Sequence, residues 1–360
     1  MKYKVCVYAI CKNEEKFVTR WVESMKEADE IYVLDTGSTD NTVKLLKDLN
    51  VNVKIKEINP WRFDKARNES LKLLPKDTDI CVCTDLDEIF NKGWRKELEK
   101  VWQKNTNKCQ YIYNWSLDKN NNPQITFYYE KIHSLGYKWI YPVHEVLTTK
   151  ENENIVKNEN IILNHYPDPN KSRSSYLPLL ELSVKENPNN DRNIHYLGRE
   201  YMYYKKYNEA IDTLIKHLSL PKATWKDERC ASMRYISRCY INLNRYEEAK
   251  MWLEKAIKEA PYLREPYVEK AILEYQLKNW EEVYNCCTRA LRIKEHKKTY
   301  INEPFCWDET IYDLLSISEY YRNNIKEAKK WIEKAILINP KNKRLLNNKL
   351  IIEKKEREND

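Results

Sequence analysis

The sequence predicts two domains: an N-terminal α/β domain with a mostly parallel sheet, and a C-terminal domain made only of helices. Over the first quarter of the chain, apolar runs with strand periodicity alternate with runs of helical periodicity. A segment rich in aromatic and β-branched residues follows. Beyond residue 170 the apolar residues keep a helical period, and small, aromatic and proline residues recur in a fixed order. A length of 360 residues also favours two domains over one.

The first apolar runs follow the order β-α-β-α-β-α-β, which is typical of parallel strands joined by helices. The predicted strands are 5–10, 31–34, 51–58 and 80–84, and the predicted helices are 17–25, 43–49 and 66–74. Ligands of such sheets bind beyond the carboxyl ends of the strands. Polar clusters follow three of these ends, at 12–15, 35–40 and 85–88. We therefore expect the functional site at this edge of the sheet.

The remaining segments complete the domain organisation. Residues 109–166 are interpreted as antiparallel strands and loops of the first domain, because they are rich in aromatic residues and β-formers. The predicted division is an α/β domain at 1–170, helical repeats at 171–350 and a charged tail at 351–360.

The helical part resembles an array of tetratricopeptide repeats, in which each repeat is a pair of antiparallel helices. Two strong copies are Leu197, Gly198, Tyr201, Ala210, Leu214 and Pro221, and then Tyr240, Ala249, Leu253, Ala256 and Pro261. Weaker copies contain Tyr267, Ala271, Val283 and Ala290, and then Tyr312, Leu315, Ala328, Ile332, Ala335 and Pro340. Small residues let the two helices of a pair approach closely, and a proline ends the second helix.

Composition argues against several classes of function. The net charge of +8 comes from basic and acidic residues mixed along the chain, with no basic cluster interleaved with aromatics, so no nucleic-acid partner is expected. No apolar stretch approaches the ~20 residues of a membrane span, and the first residues read as a strand rather than a signal peptide. We therefore expect a cytoplasmic protein whose ten cysteines are reduced and buried.

Asp85 and Asp87 follow the fourth predicted strand and are candidates for binding a divalent cation. Two carboxylates one residue apart can face a hard cation, which neutralises charge on a diphosphate leaving group. Such triplets also occur by chance in strand-end loops. An earlier turn at 35–40 follows the second strand, and this combination favours the functional interpretation. In that turn Asp35 is expected to accept a hydrogen bond from a nucleotide base, although helix capping explains part of the segment.

Four segments, in this order and spacing, resemble the inverting family 2 of glycosyltransferases, which have the GT-A, Rossmann-like nucleotide-diphospho-sugar fold. They are AICKNEE at 9–15, VLDTGSTDNT at 33–42, FDKARNESL at 63–71 and CTDLDE at 83–88. With its repeats, the chain is also similar to a bacterial subgroup that includes peptide S-glycosyltransferases. The resemblance implies a hexosyl- or N-acetylhexosaminyltransferase that uses a nucleotide sugar, expected to be a UDP-sugar, and a divalent cation, Mn²⁺ or Mg²⁺.

The resemblance also implies roles for single residues. Ala9, Asp35, Arg67 and Asp85 would bind the nucleotide sugar, with Asp35 at the base and Asp85 at ribose or sugar hydroxyls. Asp87 would bind the metal. For Arg67 a surface ion pair with a carboxylate is the alternative.

The segment 141–145, YPVHE, resembles the Val-His-Glu segment of the subgroup, where the acceptor-side carboxylate is expected. An inverting transfer needs one base to take the acceptor proton as the nucleophile attacks the anomeric carbon. Glu145 is the expected base, and His144 is the competing base or a positioning group. A strand-end pair without a catalytic role is the alternative.

Histidine and tryptophan residues supply the remaining candidates. A late histidine often completes the metal shell in A-type folds, so His165 is expected as a further ligand, with an ordinary loop histidine as the alternative. The other histidines considered lack such a context and are expected to be structural: His133, His195, His217 and His296. Three tryptophans could stack on a sugar, although a core role is expected for at least two of them: Trp61, Trp115 and Trp139.

The expected acceptor is a protein or peptide, because stacked helical pairs form a concave surface suited to recognition. The same surface would suit assembly into a homo-oligomer. Two alternatives are a glycan- or lipid-linked acceptor and a tetratricopeptide scaffold with an inactive nucleotide-sugar domain. The presence of Asp35, Arg67, Asp85, Asp87 and Glu145 together favours an active enzyme.

Overall fold

A computed structural model describes residues 3–359 of the chain. The chain divides into two compact units. The N-terminal unit comprises Met1–Glu186 with Lys298–Tyr300, and the helical unit comprises Asn187–Lys297 with Ile301–Asp360.

The N-terminal unit is built around an eight-stranded sheet. The strands are β1 Val5–Cys11, β2 Glu30–Asp35, β3 Asn52–Ile55, β4 Ile80–Cys83, β5 Glu88–Phe90, β6 Lys108–Leu117, β7 Pro123–His133, β8 Lys138–Ile140, β9 Val146–Thr148 and β10 Ile155–His165. Their order in the sheet is β3-β2-β1-β4-β7-β6-β10-β5, and β8 and β9 form a separate hairpin. The first four strands are parallel, as the sequence predicts, and β7 runs antiparallel to β4 and β6.

Helices pack against the sheet and form a hydrophobic core with it. They are α1 Glu15–Met25, α2 Thr42–Asp48, α3 Phe63–Leu71, α4 Trp94–Val101 and α5 Tyr176–Glu186. Every residue of β1 is buried, and α1 buries all five apolar residues of its predicted stripe. Trp21 and Trp94 are fully buried in this core. The sheet is therefore a rigid support for the loops at its carboxyl edge.

Three features differ from the prediction. Residues 109–166 are expected to form antiparallel strands, but β10 pairs parallel with β6, because the chain crosses from β7 through the β8-β9 hairpin before β10 begins. The third strand ends at Ile55 instead of Ile58, because β3 is an edge strand with no buried residue and Ile55 itself is exposed. Helix α3 runs over 63–71 instead of 66–74. A proline disfavours helical geometry in the residue that precedes it. Leu74, which precedes Pro75, therefore lies after the end of the helix.

The last strands of the sheet join two distant parts of the chain. β5 pairs antiparallel with β10 at the sheet edge, and Glu88 lies opposite His165. The backbone N–H of Tyr166 donates to the carbonyl of Asp87 at 2.8 Å. This pairing brings the segment that follows β4 next to the end of β10.

The helical unit consists of four helical pairs and a final helix. The helices are α6 Asp191–Tyr203, α7 Tyr207–Ser219, α8 Lys226–Asn242, α9 Tyr246–Glu259, α10 Glu265–Gln276, α11 Trp280–Arg292, α12 Thr310–Tyr321, α13 Ile325–Ile338 and α14 Lys343–Asn359. The charged residues 351–359 continue α14.

The two helices of each pair are joined by the same type of turn, which confirms the predicted repeat. One residue per turn has a positive φ: Lys205 at 59°, Asn244 at 58°, Lys278 at 59° and Asn323 at 64°. Seven positions before each of them stands a small residue: Gly198, Ser237, Ala271 and Ser316. The small residue and the turn therefore recur with one spacing in all four pairs.

Gly198 marks a close approach of α6 and α7, and we expect Gly198→Ala to destabilise the protein. An added Cβ would lie 2.6 Å from Cγ and 2.7 Å from Cδ2 of Leu214, which is fully buried. In an unobstructed helix this change stabilises by about 1 kcal/mol. Here overpacking is expected to lower the free energy of unfolding by about 1–3 kcal/mol, measured by chemical denaturation. The exposed Glu209→Ala of α7 is the control, and a gain in stability in Gly198→Ala would contradict the close packing.

Two predictions from composition concern the cysteines and membrane-spanning segments. All ten cysteines are free and buried, as predicted. Within residues 3–359, no helix combines the length and the apolar character needed to cross a bilayer.

Candidate active site

Arg67, Asp85 and Glu145 come together at the carboxyl end of β4. Arg67 lies on α3 and is only 4% exposed. Its Nη2 donates to Asp85 Oδ1 at 2.8 Å and to Oδ2 at 3.1 Å, and its Nε donates to Glu145 Oε1. The planar guanidinium, with donors on several sides, suits such a bridge. Two carboxylates that the sequence assigns to the donor and acceptor sides are therefore held by one side chain.

Helix α3 also fixes the segment that carries Glu145. The Asn68 side chain donates to the carbonyl of Trp139 at 2.8 Å and accepts from its backbone N–H at 2.9 Å. The backbone N–H of Phe63 donates to the carbonyl of Pro142 at 2.9 Å. These bonds hold Trp139 and Pro142, so the chain that leads to Glu145 is anchored at the backbone.

The turn before Glu145 has unusual backbone geometry. Tyr141 has a φ of 79° and His144 a φ of 50°, a region that residues other than glycine rarely adopt. The His144 ring packs against Tyr176 of α5 at a centroid distance of 5.8 Å. Such constrained turns cluster at functional sites, where the surrounding structure holds them.

Lys131 on β7 is a member of the site that the sequence analysis missed. Its Nζ lies 3.2 Å from Asp85 Oδ2 and 3.5 Å from Glu88 Oε1, and the side chain is buried. Burial alone would lower the Lys131 pKa, but the two carboxylates raise it, so the amine stays charged. A lysine near the end of the aromatic, β-forming segment 125–132 is the available signal.

The two carboxylates beside Lys131 have opposite pKa shifts. Burial would raise the pKa of Asp85, but the positive charges of Arg67 and Lys131 lower it, so this carboxylate is ionised at neutral pH. Burial raises the pKa of Glu88, and Asp85 and Asp87 raise it further, while Lys131 acts in the opposite direction. Glu88 also accepts from the Asp85 backbone N–H at 2.9 Å and therefore shapes the loop.

Asp87 and His165, the two predicted metal ligands, face each other. His165 Nε2 lies 3.5 Å from Asp87 Oδ2, and His165 Nδ1 lies 2.9 Å from the carbonyl of Trp115. A carbonyl at Nδ1 fixes the tautomer that leaves Nε2 for a cation. Burial lowers the His165 pKa, but Asp87, Glu88 and the Trp115 carbonyl together raise it above its ordinary value. The residues fit a divalent cation, because an imidazole and a carboxylate are common ligands and a diphosphate can supply others.

The positively charged side chain of Lys171 lies near Glu14, Asp85 and Asp87. Lys171 Nζ donates to Glu14, which is almost fully buried after β1. Burial raises the pKa of Glu14, Lys171 lowers it, and Asp87 and Asp85 raise it further. Burial lowers the pKa of Lys171, Glu14 raises it, and the charges of Asp87 and Asp85 raise it further. No sequence motif assigns a role to Lys171, and its position six residues after His165 is the only signal.

Asp35 and Ala9 are placed differently from the residues above. Asp35 is 1% exposed, and Oδ1 accepts from the backbone N–H groups of Gly37 and Ser38, each at 3.0 Å. Its Oδ2 accepts from the Ser38 hydroxyl and from Cys11 Sγ at 3.4 Å. In this geometry the carboxylate stabilises its own turn, and its contact with a base stays a prediction. Ala9 is fully buried in the middle of β1, within the hydrophobic core.

An open cleft of about 500 Å³ adjoins His165, and its lining includes Lys16 and Arg20. Trp115 is 43% exposed, with its ring 6.4 Å from that of His165, so it remains a candidate for stacking on a sugar. The other two tryptophans pack inside the unit. Trp139 is 3% exposed and lies in the core, and the ring centroid of Trp61 lies 5.1 Å from that of Phe63.

Comparisons with known proteins agree with this organisation. Residues 6–155 match the model of "Glycosyl transferase family 2", and residues 236–262 and 311–342 match a model of the tetratricopeptide repeat. The SPbeta prophage-derived glycosyltransferase SunS of Bacillus subtilis (strain 168) is 26% identical over 292 residues, which cover 75% of this chain and 67% of SunS. The lipopolysaccharide core biosynthesis glycosyltransferase LpsC of Rhizobium meliloti (strain 1021) is 29% identical over 102 residues, which cover 28% of this chain and 37% of LpsC.

Among solved structures, a thermophilic TPR protein of Thermus thermophilus matches 50% of this chain and 89% of its own length. Its sequence identity is 17% and its TM-score 0.36, which is too low to support an inference. The fold class and the type of enzyme expected from the sequence are confirmed by the family models and the glycosyltransferase relatives. The chain is a glycosyltransferase whose N-terminal residues match a family 2 domain and whose helical residues match tetratricopeptide repeats.

Proposed function

We propose that the chain transfers the sugar of a UDP-sugar to a protein or peptide with inversion, using Mn²⁺ or Mg²⁺ bound by Asp87 and His165. The observation that carries this proposal is the bridge formed by Arg67. It ties Asp85, in the segment expected to bind the donor, to Glu145, the expected base. The donor-side carboxylate and the expected base are thereby held by the same guanidinium.

The chemistry follows from the charges of these residues. A divalent cation at Asp87 and His165 would neutralise charge on the diphosphate leaving group. Lys171 adds positive charge near the same carboxylates. Glu145 Oε1 accepts from Arg67, so Oε2 is available for the acceptor proton. That proton moves to Glu145 as the acceptor atom bonds to the anomeric carbon and the bond from this carbon to the diphosphate oxygen breaks.

A protein or peptide acceptor is supported by the helical unit. Stacked tetratricopeptide pairs form extended surfaces suited to such recognition. The alignment with SunS covers 75% of this chain, whereas that with LpsC covers 28%. The name of LpsC supports the second candidate, a glycan acceptor, for the transferase domain alone.

Release of nucleotide diphosphate tests the proposal. The purified chain is incubated with UDP-, GDP- and dTDP-sugars in the presence of Mn²⁺ or a chelator. We expect UDP release from one UDP-sugar, dependent on the cation, and faster release when a peptide acceptor is added. Absence of both release and donor binding would favour the scaffold alternative. Faster release with a glycan acceptor instead of peptides would favour the second candidate.

Asp87→Asn is expected to remove the cation-dependent part of donor binding. A ligand bound only by the folded state stabilises by about 2.7 kcal/mol at a hundredfold excess over its Kd, so UDP with Mn²⁺ should raise the Tm of the wild type. In Asp87→Asn the Mn²⁺-dependent increase should disappear while the Tm without ligand is kept. Asp48→Asn, at the exposed end of α2, is the control. A Mn²⁺-dependent increase retained in Asp87→Asn would contradict the assignment.

A further inference from the structure

Three buried side chains from consecutive helices meet inside the helical unit. They are His195 on α6, His217 on α7 and Glu228 on α8, and one ligand atom from each lies within 4.8 Å of the others. Both histidines are fully buried, and Glu228 is 6% exposed. The sequence predicts a structural role for both histidines, because this cluster forms only when the three helices stack.

A fourth side chain orients both imidazoles. Ser232 Oγ lies 2.7 Å from His195 Nδ1 and 2.9 Å from His217 Nδ1. The hydroxyl has one proton, so at least one imidazole donates its Nδ1–H to Ser232. A neutral imidazole bonded in this way presents its Nε2 lone pair. Metal-binding histidines are held in the same manner through their second nitrogen.

His217 points its other nitrogen at the acidic member of the cluster. His217 Nε2 lies 3.4 Å from Glu228 Oε1. Among the residues that the structure describes, this nitrogen is buried and has no hydrogen-bond partner. A buried polar atom in this state carries a cost unless something binds it. The space between the ring and the carboxylate is therefore suited to a cation.

We propose that His195, His217 and Glu228 bind Zn²⁺, which holds the first three helices of the repeat array together. Two imidazoles and a carboxylate are a ligand set that zinc prefers, and a water would complete four-coordination. Ligand atoms of tetrahedral zinc lie about 3.4 Å apart. The spacing between His217 and Glu228 already has this value, at 3.4 Å. This site belongs to the helical unit and is independent of the proposed donor cation.

Metal titration of the full chain tests the proposal. The chain carries Asp87→Asn, so that the donor cation does not contribute, and is freed of metal with a chelator. Zn²⁺ is titrated in competition with a chromophoric chelator. Co²⁺ is titrated separately, because its visible absorption reports tetrahedral coordination. We expect one equivalent of either ion to bind, with the absorption of a tetrahedral site and a higher Tm.

Variants of the cluster identify the ligands. His217→Gln and Glu228→Gln are each expected to weaken Zn²⁺ binding at least a hundredfold. His296→Gln, a histidine that stacks on Trp307 elsewhere in the helical unit, should bind as the parent does. Ser232→Ala keeps all three ligands and should lose about 10- to 100-fold in affinity. It provides a second test if the ligand variants fold poorly, which circular dichroism would reveal.

Two results would overturn the proposal. One is the absence of stoichiometric Zn²⁺ and Co²⁺ binding by the parent chain. The other is equal binding by the parent and by His217→Gln or Ser232→Ala. In either case a proton shared between His217 and Glu228 would explain the cluster without a metal.

Discussion

Glu145→Gln is expected to lower the rate of sugar transfer about 10²- to 10⁴-fold, the range of a positioned general base. The amide keeps the shape of the side chain but cannot take the acceptor proton. Donor binding should be unchanged, because Arg67 still holds Asp85 through two hydrogen bonds at 2.8 and 3.1 Å. The measurements are transfer to a peptide acceptor and the Tm increase produced by UDP with Mn²⁺.

The control for this change is a carboxylate that also pairs with an arginine but lies outside the site. Glu99 accepts from Arg95 Nε at 2.8 Å on α4, and Glu99→Gln should leave transfer at the wild-type rate. If Glu145→Gln transfers sugar normally, Glu145 has only a structural role. His144, which directly precedes Glu145 and has a positive φ, then becomes the next candidate base.

Arg67→Met is expected to lower the free energy of unfolding by about 3–5 kcal/mol and to abolish transfer. Removing one partner of a buried ion pair leaves the other charges uncompensated. Arg67 is 4% exposed and contacts both Asp85 and Glu145. Its loss leaves Asp85 with Lys131 and removes the arginine from Glu145. Chemical denaturation measures the stability, and nucleotide release measures the activity.

An exposed ion pair provides the matched control. Lys72 pairs with Glu69 on the surface, so Lys72→Met should change the stability by at most about 1 kcal/mol. Arg67→Lys keeps the charge but offers one point of attachment in place of a fork, and we expect it to restore part of the stability and little of the activity. Wild-type stability in Arg67→Met would show that the bridge has no structural role.

Much of the fold is predictable because it is encoded over short stretches. The stripe of α1, from Phe17 to Met25, and the apolar run of β1 each fall within a dozen residues, and the structure buries both. The end of β3 was misjudged, because residues up to Ile58 keep the strand pattern while only four of them pair at the sheet edge. Exposure at an edge depends on what packs nearby, which a local pattern does not contain.

The candidate site was predictable where chemistry follows a strand end or matches a family motif. Asp85 and Asp87 were found in this way, and the structure places Asp87 against His165. Lys131 was missed because its partner Asp85 lies 46 residues away on another strand. His195 and His217 have no distinguishing neighbours in the sequence, and only the stacking of helices brings them to Glu228. Contacts between distant elements are what the sequence alone left undetermined.

The pairing of β5 with β10 sets the spacing of the proposed cation ligands through main-chain hydrogen bonds. Glu88 lies opposite His165, and the Asp87 carbonyl accepts from Tyr166 at 2.8 Å. Successive side chains on a strand point to opposite faces. Slippage of β10 by one residue would turn His165 away and bring its neighbour Asn164 to the position opposite Glu88. The pairing register of this strand thus matters as much as the identity of the ligand. A single-residue insertion in β10 would separate the two ligands while keeping every side chain that forms the site.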